Sequence, residues 1–179
     1  MYKVATVCTG NICRSPIAEF LLREALEEAG LASHVQVESF AVSDWEEGNA
    51  MDRRARAWLR DHEVGEQEDV EAHVSRPITA EQLGALQLAL ALDVEHLDFL
   101  EDLAQDLPDD EENTPEISMI GSFNPELADA SPKEQGIYDP WYGGPEDFEK
   151  IAGMIRPCIP GLVEHIRRDA AARAMLNVE

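Results

Sequence analysis

Positive charge is what this chain has least of. Its 179 residues include three lysines (Lys3, Lys133 and Lys150) and 14 basic side chains in all, against 37 acidic ones, for a formal net charge of -23. A field of that sign repels nucleic acid and anionic membranes, both of which are gripped through basic footprints, so neither is expected as a partner. Such a charge speaks to solubility rather than to fold, and a solubilising surface suited to a salty or high-GC host accounts for it. Cysteine is scarce as well. Cys8, Cys13 and Cys158 are too few and too scattered for the disulfide framework of a small secreted domain, which points to a reducing, cytoplasmic setting. Long apolar runs are missing. No segment nears the ~20 residues that cross a bilayer, and Lys3-Val4-Ala5-Thr6-Val7-Cys8 runs into Gly10, Asn11 and Arg14 without a signal-peptide stretch.

Hydrophobic residues make up 44% of the chain and are spread along it. That suits one folded domain whose core needs no disulfide, metal ion or cofactor. Val4 to Cys8 is a short β-branched run stopping at Gly10, which reads as a buried parallel strand. A helix follows, with Ser15 as N-cap, Pro16 at the first position, Ile17, Phe20, Leu21 and Ala25 on one face, and Gly30 at the end. Ala18 rules out a capping box. Residues 35–42 read as a second strand and 52–62 as a helix burying Ala55, Trp58 and Leu59, while Thr79 caps a short helix reaching Leu86. Leu88-Ala89-Leu90-Ala91-Leu92 suits a third buried strand, before an amphipathic stretch carrying Val94, Leu97 and Leu100. Ten acidic residues and two prolines, Pro108 and Pro115, lie between Glu95 and Glu116, so an exposed acidic loop is expected over about 101–116. Ile117 to Ile120 forms a fourth strand, a Pro- and Gly-rich loop runs to Gly144, and a last helix starting near Pro145 is kinked or divided by Pro157 and Pro160. Strands alternating with helices imply an α/β fold, a parallel sheet with helices on both faces. Its ligands belong at the carboxyl ends of strands near a topological switch point. Cys8 lies at such an end.

The chemistry begins in Cys8-Thr9-Gly10-Asn11-Ile12-Cys13-Arg14-Ser15. A Cys and an Arg six positions apart mean little alone, since three cysteines and eleven arginines in 179 residues supply about 0.2 such pairs by chance. Their setting between a strand and a helix start means more, because it aims successive backbone N–H groups and a helix dipole at one point. Such a nest takes a tetrahedral dianion, and Arg14 adds a bidentate fork to two of its oxygens. The same field favours the thiolate of Cys8. Beneath a bound phosphate, that thiolate is placed for in-line attack on phosphorus, giving a phosphocysteine intermediate, and Ser15 can donate a hydrogen bond to the sulfur. An inert packing cysteine would have no use for Arg14. Cys13 is either ordinary packing or a partner that closes a disulfide onto Cys8 under oxidation. Expelling an alkoxide or phenoxide requires a general acid. Asp139, fixed by Pro140 among Tyr138, Trp141 and Tyr142, is the best candidate, although an Asp-Pro turn with aromatic neighbours is more often structural when met alone.

Together these residues resemble the low-molecular-weight protein tyrosine phosphatase family over nearly the whole chain. The resemblance implies a phosphatase domain over 1–168 and a C-terminal tail over 169–179. It implies a single-domain three-layer fold with a central four-stranded parallel sheet flanked by helices. It also implies an enzyme acting on phosphotyrosine in a protein or peptide, with Cys8 as nucleophile, Arg14 on the phosphate and Asp139 as the acid. Thr9, Gly10, Asn11, Ile12, Cys13 and Ser15 then surround the phosphate. Trp45, Trp141 and Tyr142 wall the pocket around the substrate ring, where flat aromatic sides favour phenyl phosphates. Asn11, Ser15 and His73 resemble the family's hydrogen-bond network that holds the loop. The chain departs from the family in three places: Trp141 stands where Tyr is usual, residues 101–112 are richer in acid, and Pro157 and Pro160 interrupt the last helix.

Three rival readings fit less well. A thioredoxin-coupled arsenate reductase on the same scaffold requires a resolving cysteine pair after the third strand, and residues 83–100 hold no cysteine. A phosphoarginine phosphatase of the same family carries Thr at the place of Ile12, whose side chain offers a guanidinium no hydroxyl. A noncatalytic phosphate-binding module would not need nucleophile, arginine and acid together. Asp44, Glu46 and Glu47 around Trp45 give the expected pocket an acidic mouth, suited to phosphotyrosine flanked by basic residues.

Overall fold

Strand-period alternation of buried side chains sets the two faces of a central sheet. The computed structural model describes residues 1–108 and 114–176. In β1 (Tyr2–Cys8), Tyr2, Val4 and Cys8 enter one apolar cluster while Ala5 and Val7 enter a second, as a strand covered on both faces must. β2 (Val35–Ala41) follows. β3 (Leu88–Ala91) repeats the pattern, with Leu88 and Leu90 facing one way and Ala89 and Ala91 the other. β4 (Glu116–Met119) completes a four-stranded sheet of order β2-β1-β3-β4. All three pairings are parallel.

The helices are α1 (Arg14–Glu28), α2 (Arg53–Asp61), α3 (Gln67–Ala72), α4 (Ala80–Gly84), α5 (Val94–Ala104), α6 (Pro145–Ile155) and α7 (Ile159–Leu176). Helices α1, α2, α6 and α7 cover the Val4 face, and α4 and α5 the Val7 face, so the three-layer α/β arrangement is the one expected. From β1 the chain goes to one side for β2 and to the other for β3. The carboxyl end of β1 is therefore the switch point, and Cys8 is its last residue. Among the described residues, no helix is long and apolar enough to cross a membrane.

The local sequence signals for helix ends mostly hold. Asp52 caps α2 by accepting from Arg54 N–H, and Thr79 with Gln82 forms a capping box on α4. Gly30 takes a left-handed φ of 71° just beyond α1, where a side chain would be strained. A 3-10 turn at Arg156–Cys158 separates α6 from α7, as the missing N–H groups of Pro157 and Pro160 require. Ser15 corrects the expectation for α1. The helix begins at Arg14 with Cys13 at the N-cap and no side-chain cap, because Ser15 is already its second residue and sets its hydroxyl against Cys8 Sγ at 3.0 Å. The N–H groups of the first turn are thus left without a side-chain acceptor. Helix α3 lies in a connection that reads only as polar, since Val70 is its one buried residue. Helix α5 continues to Ala104, so the acidic loop expected from residue 101 starts later, and 109–113 lie outside the described residues. Likewise α7 carries the chain past 168 to Leu176, with 177–179 outside them.

One glycine controls how the last loop returns to the sheet. After β4, a Cβ on Gly121 would lie 2.1 Å from the backbone oxygen of Gln135. Beyond that close crossing the chain reaches the carboxyl end of β3, where Ile137 N–H donates to Leu92 O at 2.8 Å. Gly121→Ala is expected to cost about 1–3 kcal/mol through overpacking, measured by urea unfolding at neutral pH. An unchanged unfolding midpoint would contradict the crossing.

Candidate active site

The loop from Cys8 to Arg14 is shaped by what holds its carbonyls. Thr9 O accepts from Ser43 N–H (3.2 Å) and Ser43 Oγ (2.8 Å), and Gly10 O from Ser75 Oγ (2.8 Å). Asn11 O accepts from His73 Nε2 (2.8 Å), and Ile12 O from Asp52 N–H (2.9 Å). The loop has no cis peptide. Each trans peptide with its carbonyl tied outward turns the next N–H the opposite way, so the amides of Gly10 to Cys13 face the loop's centre. Together with the first turn of α1, they form an anion nest.

A second layer of polar contacts supports the loop. Asn11, buried and in the left-handed region at φ 53°, donates from Nδ2 to Ser15 Oγ (3.0 Å) and Ser39 Oγ (2.8 Å). Its Oδ1 accepts from Arg76 N–H at 3.2 Å. Ser39 in turn donates to Glu19, which pairs with Arg23 at 2.6 Å. His73 is held below the usual imidazole range by burial, with Arg76 and Arg23 adding to the effect and its bond to Asn11 O opposing it. It donates as a neutral ring.

Arg14 is the buried cation of the site, with a side chain 4% exposed. Its Nη2 reaches Asp139 Oδ2 at 2.8 Å and Thr9 Oγ1 at 3.2 Å, and its Nη1 reaches Ile137 O at 3.2 Å and Asp93 Oδ2 at 3.5 Å. Asp139 is half exposed, and its Oδ1 accepts from Trp141 N–H at 3.0 Å. Thr9 Oγ1 also lies 2.9 Å from His96 Nε2. Burial, with Arg14 close by, pushes the His96 ring down to about 3. Cys13 is likewise buried, and burial, then Asp52 and Cys8, push its thiol up. None of the three cysteines is in a disulfide, and Cys158 is buried in the 3-10 turn that precedes α7.

These groups line a cavity of ≈ 420 Å³, floored by Cys8, Thr9, Gly10, Ile12, Cys13 and Arg14. Its walls are Trp45, Glu46, Asp139, Trp141 and Tyr142. Trp45 is 79% and Tyr142 98% exposed, so both stand up from the rim. A larger groove of ≈ 750 Å³ along α2, lined by Arg53, Arg56, Trp58 and Glu149 among others, has no nucleophile at its base. The structure thus brings together Cys8, Arg14, Asp139 and the three aromatics, with Asn11, Ser15 and His73 beneath the loop. Asp93, His96, Ser43, Ser75 and the Asp52 amide have no motif in the sequence. Only Asp93 had a signal, as a carboxylate just beyond the end of a central strand.

A thiol at the base of an amide nest, with an arginine and a carboxylate at its mouth, defines a phosphate-handling α/β protein. A family model for low molecular weight phosphotyrosine protein phosphatase matches residues 3–172. The chain is 35% identical over 173 residues to a low molecular weight protein-tyrosine-phosphatase of Streptomyces coelicolor, with 97% of this chain and 98% of that protein covered. It is 33% identical to the low molecular weight phosphotyrosine protein phosphatase of Sus scrofa, with 92% and 95% covered. The crystal structure of a Drosophila arginine phosphatase, DARP, superposes with a TM-score of 0.78 at 26% identity, over 91% of this chain and 96% of that one. The chain belongs to the low molecular weight phosphotyrosine protein phosphatase family, a family of hydrolases.

His96 yields a pH prediction. Its ordinary value is 6.5 and burial lowers it to about 3, so below pH ~6.5 the unfolded chain takes up a proton that the folded protein refuses. That stabilising contribution is present above ~6.5 and is lost as the pH falls toward 3. His96→Asn should therefore reduce the fall in unfolding free energy between pH 7 and 4.5 by about 2 kcal/mol. Urea titrations of both proteins at the two pH values measure it, and equal falls would refute it.

Proposed function

We propose that the protein hydrolyses phosphotyrosine and aryl phosphates through a phosphocysteine on Cys8, with Arg14 gripping the phosphoryl group and Asp139 as general acid. The observation that carries this reading is the convergence of Cys8, Arg14 and Asp139 on one cavity floored by inward-facing amides. An entering phosphoryl group takes over the Arg14 fork from Asp139, whose carboxyl is then left beside the leaving oxygen. The Cys8 thiolate attacks phosphorus, the bond to the phenolic oxygen breaks, and the proton of Asp139 passes to that oxygen. In the second half, Asp139 takes a proton from water, the resulting hydroxide attacks phosphorus, and the sulfur leaves. Ser15 Oγ, 3.0 Å from Cys8 Sγ, supports the departing thiolate. Asp139 thus ends protonated, ready for the next cycle.

The aromatic walls support an aryl substrate, because Trp45, Trp141 and Tyr142 offer flat faces to a ring. Phosphoarginine is the second reading, favoured by the likeness to the Drosophila arginine phosphatase. Ile12, which lines the cavity floor without a hydroxyl, weighs for phosphotyrosine. The absence of disulfides among the cysteines fits a cytoplasmic enzyme, and the charge of -23 fits one that avoids nucleic acid and anionic membranes.

Cys8→Ser is expected to abolish hydrolysis of p-nitrophenyl phosphate and of phosphotyrosine peptides, and full activity in that variant would end the proposal. Asp139→Asn should lower kcat/KM for phosphotyrosine by about 10²–10⁴, with a smaller loss for p-nitrophenyl phosphate. Phosphoarginine peptides assayed alongside separate the two readings. Because Glu46 lines the cavity and Asp44 and Glu47 are close by in sequence, basic-flanked phosphopeptides should be preferred several-fold at low salt, a gap that closes as ionic strength rises. Equal kcat/KM on acidic and basic peptides would sink the acidic-mouth argument.

A further inference from the structure

We infer that Arg54, braced by Asp52, is a positioning residue that sets where Asp139 stands relative to Cys8. The inference rests on the reading of Asp139 as the acid. Neither Arg54 nor Asp52 lines the cavity, yet the two connect the nucleophile loop to the acid loop. On one side, Asp52 donates its N–H to Ile12 O at 2.9 Å, and its carboxylate caps α2 through Arg54 N–H at 2.7 Å. The same carboxylate takes Arg54 Nε (3.0 Å) and Nη2 (2.8 Å) as a fork.

On the other side, Arg54 Nη1 donates to Gly143 O at 2.7 Å, and Nη1 and Nη2 both reach Trp141 O at 3.3 Å. Trp141 is the residue whose own N–H holds Asp139 Oδ1 at 3.0 Å. The carbonyl and amide flanking one residue thus join Arg54 to the acid. The guanidinium also lies over the Phe148 ring of α6, 5.0 Å from its centre, a further contact that holds it in place. Such an arrangement uses what is particular to arginine, a flat fork able to serve a carboxylate and backbone carbonyls at once, while a lysine ammonium in its place meets only part of that set. Asp139 is half exposed between the rim residues, so its position depends on anchors of this kind.

The test is a leaving-group series. Wild type, Arg54→Gln, Arg54→Lys and Asp139→Asn are compared for kcat/KM on aryl phosphates from good leaving groups to phosphotyrosine, and for inhibition by inorganic phosphate. Displacing an acid by about an ångström costs up to ~10²-fold. Arg54→Gln is accordingly expected to lose about 10- to 100-fold on phosphotyrosine, much less on the best leaving group, and to keep phosphate inhibition within about twofold. Arg54→Lys should recover part of the loss, and Arg54→Gln added to Asp139→Asn should steepen the leaving-group dependence no further. An equal loss across all leaving groups with weakened phosphate inhibition would make Arg54 merely structural and overturn the inference, as would no loss at all. If Asp139→Asn shows the leaving-group dependence and Arg54→Gln does not, only the Arg54 inference fails. If Asp139→Asn shows none, the acid assignment fails and takes this inference with it.

Discussion

The outward tethering of four consecutive carbonyls, Thr9 to Ile12, is the constraint on which the rest of the site depends. A chain turning from strand to helix in so few residues would otherwise satisfy its amides with its own carbonyls or with water. Here Ser43, Ser75, His73 and Asp52 take the carbonyls from outside, and the amides are left facing inward with no partner of their own kind. Buried N–H groups without acceptors are costly, so the loop is stable to the extent that its surroundings hold it and an anion can complete it. Asn11 makes the turn possible in the left-handed region, and the bonds of its side chain to Ser15, Ser39 and Arg76 offset that strain.

The charge of the site runs against the charge of the molecule. A chain of net charge -23 can still offer a dianion a site, because the relevant field is local. Exposed charges beyond about 8–10 Å are screened at physiological salt, whereas Arg14 and the amides act at contact distance inside the cavity. A buried guanidinium also needs partners of its own. Asp139 and Asp93 supply them, while Thr9 and the Ile137 carbonyl accept further bonds from its Nη2 and Nη1. Thr9 is held in turn by neutral His96. The cation can therefore exchange one carboxylate for a phosphoryl group without ever standing unpaired.

Much of this was legible residue by residue. The β-branched run before Cys8 and the apolar spacing after Arg14 place the loop between a strand and a helix, and Asp139-Pro140 announces a rigid turn. The reading of Ser15 as a cap failed because a hydroxyl in a first turn looks the same in sequence whether it bonds to the helix or to a thiol 3.0 Å away. By their neighbours alone Trp45, His73 and Asp139 are ordinary loop residues, and the roles proposed for them rest on likeness to a family. His96 falls within the amphipathic stretch of Val94, Leu97 and Leu100, and nothing local sets it apart from a solvated helix histidine. Asp52 and Arg54 stand at the start of the 52–62 helix, and nothing in the sequence marks their contacts to Ile12 and Trp141.

Period, branching and short-range sterics, all legible in the chain, set the alternation of strands and helices, the two faces of the sheet and the strand-to-helix setting of the Cys8–Arg14 loop. Long-range packing sets which segments hold the loop open, which carboxylates meet Arg14, and how the Asp139 loop is tied to the Cys8 loop through Arg54. Those contacts join residues up to 125 positions apart. Their partners are single polar side chains and backbone amides, which carry no periodicity, so only the packing of the layers brings them within hydrogen-bonding distance.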